Sequence, residues 1–477
     1  MIVVGAGCVG CATALLLSRL DGVSCVVLES ARDVCQGASK ANSGIVHGGY
    51  DAKPGTLKAR LGARGNRLFA ALCRELDVPL NMCGSLVLSF TERDEEQLDQ
   101  LERHARANGV AVERWDAARV LRDQPHVSVG VRGGLFCEQA GVVSPYVYTI
   151  ALAEAAALNG VRFAVGRHVV AVERRAGAAV YAVTALVDGD PSRRETYLAR
   201  RVVNAAGMGA DEVAAPFNCT TSFQIKPRRG DYVLLKKKQG LLVSRVLFQA
   251  PTERFGKGVL VTRTIDGNLL LGPSSTAQES RTDKGTDLRE LAYVAWAARR
   301  SVPHLDTRES IRSFAGVRAK STTGDFVIEA GEGYVLLAGI DSPGLSASPA
   351  IAELAVELLG LAHAPRKLDV KRRHAYALAG APLAPDARVG HPDPARNVVC
   401  QCEGVVEATV HDAVRRSPGP ESVDGVKWRT RCGMGECQGA RCRARVERVL
   451  SEELGAARPE LKPSEGERVE RARLARL

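Results

Sequence analysis

Five of the thirteen cysteines fall between positions 400 and 442, in "VVCQCEGVVEATVHDAVRR" and "RTRCGMGECQGARCRARV". Thiolates gathered in this way do metal chemistry, since four of them hold structural zinc or an iron–sulfur cluster. Cys400 and Cys402 make C-x-C, and 34 residues later Cys437 and Cys442 make C-x-x-x-x-C, a spacing unlike the paired C-x-x-C of a zinc ribbon. A second group of residues could do acid–base and anion chemistry. "NSGIVHGG" places Ser43 and His47 four apart beside Gly48 and Gly49, whose bare backbone could lie against a cofactor ring, and a histidine, with an unperturbed pKa of about 6.5, suits proton removal near neutrality. Lys257 in "GKGVLVTRTIDGN" and Arg318 in "FAGVRAKSTTGDF" are cations in strand-like apolar surroundings, where a buried charge is costly without an anionic partner. Either they form salt bridges, with Asp325 or Glu329 as candidates, or they face a substrate: Arg318 gripping a phosphate or carboxylate in bidentate fashion, Lys257 nearer a hydroxyl or oxyanion.

Such groups need a scaffold, and the opening stretch "IVVGAGCVGCATALLLSRLDGVSCVVLES" supplies its first part. Ile2 to Val4 read as a buried strand, Gly5, Gly7 and Gly10 have the G-x-G-x-x-G spacing, and Ala12 to Leu20 continue as a helix. A second strand ends at Glu29, 19 residues after Gly10, where a carboxylate can accept the hydroxyls of an adenosine ribose. Strand, glycines, helix and acid in register predict a dinucleotide site, with the pyrophosphate at the helix N-terminus. Two more glycine-containing strand ends follow, "RVVNAAGMGAD" with Gly207 and "GYVLLAGIDSPGLSASPAIAELAVELL" with Gly339 and Gly344. Contacts spread over three distant segments suggest a cofactor held permanently between domains, a flavin rather than an exchanging nicotinamide.

These three segments, with "KANSGIVHGGYDAKPGTLKARLGARGN", resemble the D-amino-acid-oxidase-type flavoproteins, and within them the glycerol-3-phosphate dehydrogenase and oxidase branch. The resemblance runs to about Ala444 and implies FAD as cofactor, with His47 as catalytic base. Family members carry "TPT" where this chain has "TRT" at Thr262 to Thr264, so Arg263 either adds charge at the pocket edge or points to solvent. The cysteine spacing resembles the small [2Fe-2S] domain of bacterioferritin-associated ferredoxin. That likeness implies Cys400, Cys402, Cys437 and Cys442 as ligands and leaves Cys432 outside the pattern. The implied reaction is oxidation of sn-glycerol 3-phosphate to dihydroxyacetone phosphate, in glycerol metabolism, with electrons leaving through iron to an electron-accepting protein or a quinone-linked partner. Two alternatives stay open: an FAD-dependent L-2-hydroxy acid (2-hydroxyglutarate) dehydrogenase, and a non-catalytic electron-relay subunit.

The fold class expected is α/β, α+β overall: a Rossmann-like FAD-binding domain from 1–75, 142–222 and 315–362, and an inserted antiparallel-sheet substrate domain from 76–141 and 223–314. A linker at 363–396, a small helical [2Fe-2S] domain at 397–450 and a charged tail at 451–477 complete the order. Within the insertion, Thr91 with Asp94 three residues on reads as a capping pair, and "DG" at Asp266 and Gly267 as a hairpin turn. The net charge of +11, with aromatics at only 5%, favours an anionic substrate and cofactor over nucleic acid. No apolar run approaches the roughly 20 residues of a membrane-spanning helix, and Met1 abuts the first strand, so the reading is a soluble, cytoplasmic protein in a reducing compartment. The C-terminal Ala475, Arg476 and Leu477 resemble a peroxisomal address and give the alternative location.

Overall fold

The computed structural model describes residues 1–175, 179–214, 222–251, 258–366, 369 and 382–455. Lys257, most of the charged tail and its terminal tripeptide lie outside them.

The short strand Ile2–Val4, wholly apolar, lies at the middle of a sheet that counts six strands among the described residues. It pairs in parallel with Val26–Leu28 on one side and Val202–Asn204 on the other. Arg162–Ala164 extends the first side, Tyr334–Ala338 the second, and Val327–Gly331 closes that edge antiparallel. The three glycine-containing segments read from sequence are thus adjacent strands, and their C-terminal ends open on one crevice, where ligands of open parallel sheets bind. The helices Cys8–Ser18, Pro145–Leu158 and Gly344–Leu358 cover one face. Their near-continuous apolar and small residues form the largest core, with Leu15, Leu17, Ile150, Ala151 and Ile351 almost fully buried.

The two insertions fold into one further sheet. The long strands Ile225–Leu235 and Ser310–Ser321 pair antiparallel and carry its floor. Leu260–Arg263 and Leu269–Gly272 make the hairpin expected from Asp266 and Gly267. The sheet is not purely antiparallel: Ser85–Ser89, from the first insertion, pairs in parallel with Val246–Gln249, from the second, and this ladder joins them. The helix Glu92–Ala107 begins with the capping box expected at Thr91 and Asp94, each satisfying a backbone N–H of the other.

The cysteine-rich end is a compact unit of its own: the hairpin Val398–Cys400 with Val405–Val406, then helices Glu407–Arg415, Val423–Thr430 and Arg443–Leu454. Its core is small valines and Leu450 around Cys400, Cys432 and Cys442. So little apolar area rarely holds a fold without a staple or a metal. The described part of the Pro- and Arg-rich stretch is no open linker. Val398 N–H donates to the Arg388 carbonyl, Ala408 N–H to that of Pro394, and Asp386 pairs with Arg396, all of which fold residues 382–397 onto this unit.

A buried ion pair fastens the unit to the dinucleotide sheet. The guanidinium of Arg429, fully buried, donates to both carboxylate oxygens of Asp33 at 2.7 Å, and to the carbonyls of Gly425 and Pro418 at 3.0 Å. Gly425 leaves room for this, since a Cβ there would lie 2.8 Å from an Asp33 oxygen. Asp33→Ala should strand the cation in the interior and destabilise the protein by about 3–5 kcal/mol, whereas Asp33→Ala with Arg429→Met should recover most of the loss. Denaturant midpoints of the two variants check this, and equal destabilisation would show that the pair contributes through packing alone.

Candidate active site

The crevice is one continuous cavity of ≈ 1420 Å³ running from the first turn to the floor of the inserted sheet. At its dinucleotide end the chain turns at Gly5, whose φ of +98° and a would-be Cβ 2.5 Å from the Ala205 carbonyl oxygen admit only glycine. Gly10 lets the helix lie on that turn: a Cβ would overlap the Gly5 carbonyl oxygen. Gly7 lies against Ser39, whose hydroxyl accepts from the N–H of Cys8 at 2.9 Å. The Glu29 carboxylate accepts from Ala6 N–H at 2.7 Å and Ala31 N–H at 2.9 Å. Burial pushes its pKa up, opposed by these two donors, and free lone pairs remain for hydroxyl donors. Gly207 and Gly344 also line the cavity. Gly339 is buried behind it, where a Cβ would lie 2.6 Å from that of Ser321. Turn, helix N-terminus, acid and cavity volume fit a dinucleotide as large as FAD.

Ser43 and His47 line the cavity, the imidazole tilted against Phe248 with ring centres 5.9 Å apart. Asn66 fixes that loop by donating to the carbonyls of His47 at 2.9 Å and Gln139 at 2.7 Å. Gly48 and Gly49 do not line the cavity as a backbone pressed to a ring would. The Gly48 Cβ position is taken by the Cys137 sulfur, and Gly49 packs on Ala63.

Arg318 lies on the floor strand Ser310–Ser321 and lines the cavity. Its guanidinium donates to the carbonyls of Ser274 at 2.9 Å and Arg229 at 3.3 Å, and among the described residues no carboxylate pairs with it. Burial pulls its pKa down, with Tyr232 and Asp341 acting the other way. Asp325, the salt-bridge candidate from sequence, is engaged elsewhere, accepting the N–H groups of Leu57 and Lys58 at a helix start. Lys58 in turn reaches Asp341 at 2.6 Å on the cavity wall. Arg263 is exposed and does not line the cavity.

The cysteine unit closes the other side. Gly433, Met434 and Gln438, within and beside its C-x-x-x-x-C loop, line the same cavity as His47. Arg431, buried, ties the loop down. It pairs with Asp266 of the hairpin turn and with Glu403 at 2.9 Å, and its guanidinium lies 3.3 Å from the Tyr146 hydroxyl. Burial opposes its charge, but Tyr146, Asp266 and Glu403 hold its pKa up. Tyr146 donates to the Met434 sulfur at 3.4 Å and packs on Trp428, and Arg312 of the floor strand donates to Gln438 at 3.2 Å. None of this seam was legible in the sequence, where Tyr146, Asp266 and Arg431 are far apart and ordinary. Lys58 lay inside a stretch whose pattern drew notice and Ser39 just before it, but the roles of their side chains were not read.

Cys400, Cys432 and Cys442 share the small core of this unit, with Cys402 packed against it. The neighbouring Cys432 and Cys442 thiols draw the Cys400 pKa down, and Cys400 pushes theirs up. Thiols converging without oxygen or imidazole donors suit iron–sulfur chemistry.

Residues 1–358 match the family model for FAD dependent oxidoreductases, and residues 398–452 match that for BFD-like [2Fe-2S] binding domains. The chain belongs to the FAD-dependent oxidoreductase family. Its cofactors are FAD and a [2Fe-2S] cluster. It is 37% identical to a glycerol 3-phosphate dehydrogenase of Caloramator mitchellensis over 96% of this chain and 95% of that one. The structure superposes with a TM-score of 0.70 on the FAD-bound, dithionite-reduced L-α-glycerophosphate oxidase of Mycoplasma pneumoniae, 30% identical, covering 75% of this chain and 94% of that one. An L-2-hydroxyglutarate dehydrogenase of Caenorhabditis briggsae is 27% identical over 74% of this chain and 91% of that one.

Purified without oxygen, this oxidoreductase should carry about one FAD and about two iron atoms per chain. Gly10→Val should abolish flavin binding by forcing helix from turn, while the iron stays. Flavin absorbance and iron assay check both, and zinc in place of iron would overturn the cluster.

Proposed function

We propose that this chain oxidises the secondary hydroxyl of sn-glycerol 3-phosphate to give dihydroxyacetone phosphate. The carrying observation is Arg318: a buried guanidinium that lines the cavity and is bonded, among the described residues, to carbonyls alone is suited to a dianionic phosphate. The relatives named as glycerol 3-phosphate dehydrogenase and oxidase support the same substrate.

When bound, FAD supplies the hydride acceptor and the [2Fe-2S] cluster a one-electron exit toward an external acceptor. The protein's residues do the rest. Arg318 binds the phosphate in bidentate fashion and so orients the C2 hydroxyl. His47, held by its Asn66-anchored loop, removes the hydroxyl proton. Ser43, on the same loop, hydrogen-bonds the substrate oxygen. Lys257, outside the described residues, holds the oxyanion side. Gly433 and Met434 lining the flavin cavity support an exit through iron to an electron-accepting protein or quinone-linked partner. No helix among the described residues is long and apolar enough to cross a membrane, which accords with contact through such a partner.

Anaerobic titration of the purified enzyme tests this reading. Bleaching of the flavin band by sn-glycerol 3-phosphate and not by L-2-hydroxyglutarate is the expected result. Bleaching by the hydroxy acid alone would reassign the substrate, and by neither would leave an electron relay. Arg318→Lys should raise KM about 10- to 100-fold with FAD retained, because an ammonium cannot reproduce the planar fork. His47→Ala should slow flavin reduction at saturating substrate by about 10²–10⁴-fold. Stopped-flow reduction separates the two effects, and an unchanged rate in the histidine variant would place the base elsewhere.

A further inference from the structure

Three lysines from separate parts of the chain meet on one stretch of the cavity wall. Lys40 comes from the loop before the strand Ile45–Val46, Lys284 from the loop before the helix Leu288–Ser301, and Lys427 from the helix Val423–Thr430 of the cysteine unit. Gln36 ties the first two together: its side-chain oxygen accepts from Lys40 at 2.6 Å, and its backbone carbonyl accepts from Lys284 at 3.1 Å. Trp428 ties the first to the third, its ring centre 5.2 Å from the Lys40 ammonium and 4.8 Å from that of Lys427. Gln36 and Trp428 line the cavity too.

Charge is not balanced on this wall. Lys427 pairs with Asp424 at 2.5 Å. Lys40 and Lys284 bond to the oxygens of an uncharged glutamine, and among the described residues no carboxylate pairs with either. Three ammonium groups against one carboxylate leave about two positive charges to be met. Burial, with the Lys284 charge beside it, pulls the Lys40 pKa down. A hydrogen-bond donor is left over as well. The indole Nε1 of Trp428 is buried without an acceptor among the described residues, which is costly for an N–H group, while Tyr146 packs on its ring at 4.9 Å between centres. The exposed Lys284 and Asp424 open this stretch to solvent. A carboxylate would bring one negative charge to it. A phosphate brings about two, with several acceptor oxygens.

We propose that Lys40, Lys284 and Lys427, with the indole N–H of Trp428, form a phosphate-binding site where the cysteine unit meets the flavin domain, distinct from Arg318 on the floor strand. The lysines neutralise the charge, and the indole N–H donates to a phosphate oxygen. The phosphate belongs either to a free ester such as the substrate or to the diphosphate of FAD, and the order of filling tells the two apart.

The test is calorimetric titration of the full-length, FAD-loaded holoprotein with inorganic phosphate, in an Arg318→Met background so that the floor guanidinium does not contribute. Phosphate binding that weakens about 10-fold or more on adding Lys427→Met, Lys284→Met or Trp428→Phe, and that Lys284→Arg retains, assigns the site to a free phosphate ester. Titration of the full-length apoprotein with FAD covers the second source: FAD affinity lowered about 10-fold by the same variants and kept by Lys284→Arg assigns it to the cofactor's diphosphate. Lys284 is exposed, so its variants keep the test open should Lys427→Met fail to fold. Phosphate and FAD affinities both unchanged in the folded variants would overturn the site.

Discussion

A guanidinium withdrawn from water must recover both its hydrogen bonds and an opposing charge, and three arginines organise this protein around that demand. Arg429 meets it with the carboxylate of Asp33, brought from a loop nearly four hundred positions away in the chain. Arg431 meets it with Asp266 and Glu403. Arg318 meets it only in part, with two carbonyls, and the remainder faces the cavity. The first two fix the cysteine unit against the flavin-binding sheet, and the third lines the cavity with no carboxylate partner among the described residues.

Arg429 and Arg431 draw together distant sequence regions. Asp33 lies just after the dinucleotide fingerprint, Asp266 at the tip of a hairpin in the inserted sheet, and Glu403 between the two halves of the cysteine motif. The loop carrying Met434 is consequently held where it shares a wall with His47. Satisfying a buried charge and setting the distance between two redox groups are here the same structural act. A bidentate pair specifies orientation as well as proximity, which a purely apolar seam would not.

The cysteine unit shows the complementary case. Its core of valines is too small to hold it firmly, and its thiols crowd together instead. Metal binding there is part of folding, since a core this small gains stability from thiolates shared with iron. The charge network at the seam then couples that unit's order to the order of the cavity.

Sequence alone determined what depends on local spacing. Gly5, Gly7, Gly10 and Glu29 are legible because strand, turn and helix are short-range consequences of residue type, and the cysteine spacing is legible because metal ligands must recur at fixed intervals. The two sheets were also legible, though the parallel ladder that joins the insertions was not, because register between distant strands leaves no mark in either strand. Gly48 illustrates the limit: a glycine announces that something comes close, and only the fold reveals that it is the sulfur of Cys137. Tertiary structure alone decided that Asp325 serves a helix start and leaves Arg318 without a carboxylate among the described residues, and that Cys432 is buried in one core with Cys400 and Cys442. Burial and partnership of a charge or a thiol are properties of its surroundings, and those surroundings are assembled from across the chain.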